Sequence, residues 1–206
     1  MKELTTCNIP KYLEQGKDHQ FWYKNESAKL IELLPEFSNF PIIRTFAVTS
    51  MTSSIESNVA LALKALIQMK RGVPLKGYLP AQEKYLLMIS NGIDVPGRKI
   101  MNFIKALEGD ENSVVVDIWM CKAFDMLNAR ILPDGRKYFR SPSKREYDAI
   151  ESFVLYDAHK RCIEPRQYQS MVWAGVKREF GQTKNVCWSD LLIKKRGFFS
   201  YDYKKV

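Results

Sequence analysis

Serine, proline and glycine mark helix ends along this chain, and that punctuation constrains its fold more than any other feature. Ser53-x-x-Glu56 has the form of a capping box, in which a serine side chain and a glutamate three residues on satisfy each other's backbone N–H groups. Ile55, Val59, Ala62, Leu63 and Leu66 then recur at helical spacing, which predicts an amphipathic helix over roughly 54–70 that stops before Gly72 and Pro74. Pro80 opens a second helix that ends at Asn91-Gly92, and Ile100, Phe103, Ile104 and Leu107 mark a third between Pro96-Gly97 and Gly109. Ser143-x-x-Glu146 starts a helix that runs to about Cys162, and Pro165 and Gly181 bracket another carrying Tyr168, Met171, Val172 and Val176. A shorter helix is expected to begin near Asp117.

Alternating strand patterns are nearly lacking by contrast. Val114 to Val116 is three residues long, and Phe198 to Tyr203 has the pattern of an edge strand or an ordered tail. The chain therefore reads as all-α. The longest apolar runs fall far short of the roughly 20 residues that span a bilayer, and the polar N-terminus has no signal-peptide segment, so a cytoplasmic protein with no membrane partner is expected. Four widely spaced cysteines with no CxxC pair, and only two histidines, assemble neither a zinc site nor an iron–sulfur cluster by local spacing. No metal or organic cofactor is expected.

Charge narrows the partner. Lysine and arginine outnumber the acids 32 to 23, a net +9 weighted to the second half, which suits a polyanion such as nucleic acid. Residues 130–145 hold six basic residues against one acid, with Pro-Asp-Gly turn chemistry and two aromatics, Tyr138 and Phe139. This stretch is the candidate loop for a phosphate backbone, with Arg136, Lys137 and Arg140 as its contacts and the two rings as base stackers. The same composition also suits a plain solvated connection between helices.

The segment from Gly92 to Phe124 joins a short turn, a helix opened by Gly97-Arg98-Lys99, a polar loop, and three valines that deliver Asp117 to the next helix. Taken singly, Lys99 reads as a surface residue and Asp117 as an ordinary N-cap. Together the segment resembles the helix-hairpin-helix DNA glycosylase superfamily, endonuclease III and its relatives. There a hairpin ending Gly-x-Lys is followed by an apolar helix and a Val-Asp segment with a basic residue five positions on. Lys99 and Asp117 lie eighteen residues apart, in agreement with that family's spacing. Gly97 falls on the hairpin glycine and Lys122 on the later basic residue. Upstream, the segment with Met51 and Asn58 resembles the family's first barrel helix and the loop before it. Downstream, Gln169-x-x-x-Trp173 resembles divergent phage- and plasmid-type members. The chain departs from the family in reading Ile93-Asp94-Val95-Pro96-Gly97 at the hairpin, without the usual first glycine, in having Met51 where a glutamine wedge is common, and in carrying no cysteine cluster.

The resemblance implies a two-lobed helix-hairpin-helix fold with a cleft between a central lobe, 45–116 with its hairpin at about 90–100, and a second lobe, 1–44 plus 117–206. It implies a DNA glycosylase acting on double-stranded DNA with a flipped base in base excision, with AP lyase activity. Lys99 would be the Schiff-base nucleophile and Asp117 the carboxylate that stabilises oxocarbenium character on the sugar. Gly97, Arg98, Lys122 and the basic loop would hold phosphates. The alternative is a relative of the same fold that binds DNA or RNA without turnover. Trp119, Trp173, Phe103 and Ile104 follow helical periodicity and are expected in the core.

Overall fold

The structure is a computed structural model that describes residues 4–51, 53–126, 129–131, 137–182 and 187–194. Contacts divide the chain into two compact units. The first holds 1–23 and 109–185, the second 24–108 and 186–206. These divisions differ from the expected 45–116 and its complement. Residues 24–44 and 187–194 group with the central helices, and Leu30, Phe37 and Trp188 among them are buried. The Val114–Val116 run groups with the flanking unit because all three valines are buried and two of them, Val114 and Val116, join its core.

In the first unit α1 (Ile9–Gln15), a single 3₁₀ turn (Lys17–His19) and the opening residues of α2 (Trp22–Leu33) precede α7 (Ile118–Ala123), α8 (Lys144–Lys160) and α9 (Pro165–Glu179). Eleven of the fifteen residues of α9 are buried, so this helix is surrounded by its unit rather than lying on it. It packs on α1, α7 and α8. The closest approach is glycine on glycine: a Cβ on Gly16 would sit 1.9 Å from the Met171 carbonyl oxygen, and one on Gly175 2.1 Å from that of Tyr12. Phe124, Ile150, Val154, Tyr168 and Val172 fill the core at no exposure.

The second unit has the remainder of α2, then α3 (Ile42–Thr49), α4 (Ile55–Arg71), α5 (Pro80–Ser90), α6 (Arg98–Glu108) and a helix over 188–194. Here α3 is the central helix, with six of eight residues buried against α4, α5 and α6. Trp188 packs its ring 5.4 Å from Phe46 and 5.9 Å from Phe103, centroid to centroid. The fully buried Glu26 accepts from the Ser189 N–H and hydroxyl at 3.1 and 2.7 Å, which tethers the 188–194 helix to α2. The start of α4 is capped one residue later than expected: Ser54, not Ser53, accepts from the Ser57 N–H. The Ser143–Glu146 capping box forms as expected.

Among the described residues the architecture is all-helical apart from one antiparallel ladder. Strands β1 (Ala129–Ile131) and β2 (Lys137–Phe139) pair with Ala129 opposite Phe139 and Ile131 opposite Lys137. They lie inside the segment expected to be a loop. The Pro-Asp-Gly sequence between them carries the turn chemistry noted above and lies outside the described residues. The proposed strand or tail at Phe198 to Tyr203 lies outside the described residues. Among those described, no helix is long and apolar enough to cross a membrane.

Candidate active site

Asp117 is the best-positioned of the expected functional residues. The three valines before it are buried, and Tyr147 from α8 braces them: its hydroxyl donates to the Val114 carbonyl at 2.8 Å and accepts from the Val116 N–H at 3.3 Å. The chain then turns into α7 with Asp117 as its N-cap. Oδ1 accepts from the Trp119 and Met120 N–H groups, both at 2.9 Å. Oδ2 accepts from the Trp173 indole N–H, also at 2.9 Å. Three donors thus hold a half-buried carboxylate in one orientation, where a lone cap would leave one oxygen to solvent.

Trp173 belongs to a stripe on α9. Gln169, Trp173 and Lys177 are four residues apart and share one helical face. Gln169 is buried and accepts the Tyr23 hydroxyl at 2.5 Å. Burial, followed by the charge of Asp117 and the nearby Tyr147, raises the Tyr23 phenol well above its ordinary pKa and keeps it a neutral donor. The Trp22 ring lies 6.4 Å from that of Trp173. Lys177 is 8% exposed, with its Nζ 4.0 Å from the Trp173 ring centroid. Burial lowers its pKa, and the attraction of Asp117 opposes that shift without cancelling it. On α7, Lys122 places its Nζ 3.4 Å from the Phe180 centroid and 4.9 Å from that of Trp119. Trp119 and Trp173, expected in the core, are half-buried and pack against the core of this unit.

The other expected residues have different settings. Gly97, Arg98 and Lys99 are exposed in the second unit, where Lys99 occupies the first turn of α6. Gly97 has φ of 103°, a left-handed conformation that glycine adopts at little cost as the chain enters α6. Asp94, the acid at the hairpin, is neutralised by Arg44 at 2.8 Å, and the same guanidinium grips Glu108 at 2.6 and 3.1 Å. Arg44 thereby ties the loop before α6 to the last residue of that helix. Arg140 is held bidentately by Glu146 at 2.8 and 2.7 Å, so it braces the capping box of α8. Lys137 has its backbone in β2, while its side chain, those of Tyr138 and Phe139, and all of Arg136 lie outside the described residues.

Sequence reasoning singled out Gln169 and Trp173 without a role, and it passed over Lys177 and Tyr23. The available signal was the four-residue repeat of Gln169, Trp173 and Lys177 along one helix. No family model, curated protein or solved structure matches this chain.

Proposed function

We propose that the protein is a DNA glycosylase that excises a modified or damaged base from duplex DNA, with Asp117 as the carboxylate that stabilises the developing oxocarbenium ion and an associated lyase activity. The supporting observation is the fixed Asp117 carboxylate, set by three N–H donors beside two half-buried indoles and two amines. A carboxylate already oriented before reaction needs no reorganisation when positive charge appears on the sugar, which is where electrostatic catalysis gains most. Indole faces accept an unstacked base of any identity, and the net charge of +9 draws the protein to a phosphate backbone. The similarity of the Gly97–Lys99 and Asp117 segments to helix-hairpin-helix glycosylases supports the same reading and puts Lys99 forward as the lyase amine.

The test is base release from a panel of duplexes, each with one lesion, comparing wild type with Asp117→Asn. Asparagine caps a helix as well as aspartate does, so the variant keeps the α7 cap while it loses the charge and the acceptor of the Trp173 indole N–H. One duplex is expected to release its base, with a rate loss of about 10² to 10³ in the variant. Release from none of them, or release at the wild-type rate by Asp117→Asn, rejects the proposal.

A further inference from the structure

The second unit carries an apolar groove that its own helices leave open. Phe40 and Pro41 ahead of α3, Met69 near the end of α4, Val73 and Leu75 after it, and Leu87 on α5 line the groove, whose volume is about 490 Å³. That volume falls within the roughly 300 to 1,000 Å³ of ligand-bearing clefts, and among the described residues no charged side chain lines it. Val73 is 46% exposed and Leu87 59% exposed, so two large aliphatic side chains of one concavity face water. Their burial against a partner segment is the free energy such a groove has to offer.

The charge around the groove selects the segment. Residues 35–41 and 57–90, which build it, hold five basic residues, Lys64, Lys70, Arg71, Lys76 and Lys84, against two acids, Glu36 and Glu83. Lys64 and Lys70 donate to neutral groups, the Gly77 and Glu36 carbonyls, and lie over the Tyr78 and Phe37 rings, so neither charge is offset there. Glu83 turns to the Gly77 and Tyr78 N–H groups. Arg71, Lys76 and Lys84 are exposed, and among the described residues none of them pairs with a carboxylate. Arg71 is two residues from Met69 and two from Val73, Lys76 adjoins Leu75, and Lys84 lies three residues before Leu87 on one face of α5.

We infer that the groove docks an acidic amphipathic segment of a partner protein, with its apolar side chains seated on Met69, Leu75 and Leu87 and its carboxylates facing Arg71, Lys76 and Lys84. This is the mode in which an amphipathic helix lays spaced apolar anchors into a groove. A second copy of this chain is a poorer occupant because its own net charge is +9. Nucleic acid is a poorer one too, since unstacked bases take several rings and the lining offers one, Phe40.

The test pans a phage-displayed library of random dodecapeptides on the immobilised full chain and measures the selected peptides by fluorescence anisotropy. Enrichment of sequences with aliphatic or aromatic anchors flanked by aspartate and glutamate is expected. Their affinity is expected to fall at least about tenfold in Leu87→Asp and in the double variant Arg71→Glu/Lys84→Glu, and to weaken with added salt. All three positions are exposed, so circular dichroism melts are expected to match wild type, and the two variants test apolar seat and charged rim separately. No enrichment, enrichment of basic sequences, or peptide binding that survives both variants overturns the inference. Loss of affinity for duplex DNA in Arg71→Glu/Lys84→Glu, with peptide binding intact, also overturns it and assigns the rim to nucleic acid.

Discussion

Substituting alanine at Gly175 or Gly16 tests the packing on which the α9 site stands. Gly175 lies on the side of α9 opposite Trp173 and Lys177, pressed on the last turn of α1. Its added Cβ would meet the Tyr12 carbonyl oxygen at 2.1 Å and the Tyr12 carbonyl carbon at 2.7 Å. An ordinary carbon–oxygen contact is about 3.3 Å, so the two backbones must part by roughly 1 Å, with no flexible side chain to absorb the shift. Overpacking of that kind costs about 3 kcal/mol, and alanine returns about 1 kcal/mol through its better helix propensity. The net loss of about 2 kcal/mol corresponds to a fall in melting temperature of about 4 to 8 °C for a chain of this size. Gly16 follows α1 as its C-cap and gains nothing from propensity, so Gly16→Ala is expected to lose more. Circular dichroism melts supply the measurement. A melting temperature for Gly175→Ala equal to or above that of wild type would refute the close crossing and with it the seating of α9.

Two further outcomes follow from named contacts. The Arg140 guanidinium, with help from the Ser143 N–H, holds the Glu146 carboxyl down at about 2, against an ordinary 4.5. A depressed carboxylate contributes stability that is complete above its unfolded value and is lost as pH falls from there through the folded one. Because the pair is partly solvated the amount is about 1 kcal/mol, so the stability gap between wild type and Glu146→Gln is expected to shrink between about pH 6 and about pH 3. A gap that stays constant over that range sinks the assignment. Tyr147→Phe leaves the buried Val116 N–H and Val114 carbonyl without the hydroxyl that bridges them, and is expected to cost about 1 to 3 kcal/mol in urea denaturation. An unchanged midpoint would mean that the valine run is held by packing alone.

The helices were legible because their signals are local. Ser143 and Glu146 cap α8 across three residues, and Gly72 sits where α4 ends. The same locality limits resolution: Ser53 and Ser54 are both competent caps, and only the backbone geometry at Ser54 decided between them. The β1–β2 ladder was half legible. Its turn chemistry was visible, but three residues per strand are too few to show alternation, and the pairing energy comes from across the ladder. Asp117 was legible as a cap, since an apolar run followed by aspartate before a helix is a local pattern. That the same carboxylate also binds Trp173, 56 residues on, is not.

The sequence by itself determined where most helices begin and end, that strands are marginal, and that the surface carries excess positive charge, because each depends on interactions within about four residues or on composition alone. Tertiary structure decided which of the many lysines lays its stem and ammonium over an indole, which carboxylate gains a third donor, that Arg44 offsets Asp94, and that Gly16 and Gly175 meet. Desolvation and contact are properties of the atoms that surround a group. For Lys177 those atoms include an indole one turn back on α9 and a carboxylate sixty residues earlier, whose proximity no local pattern in the chain encodes.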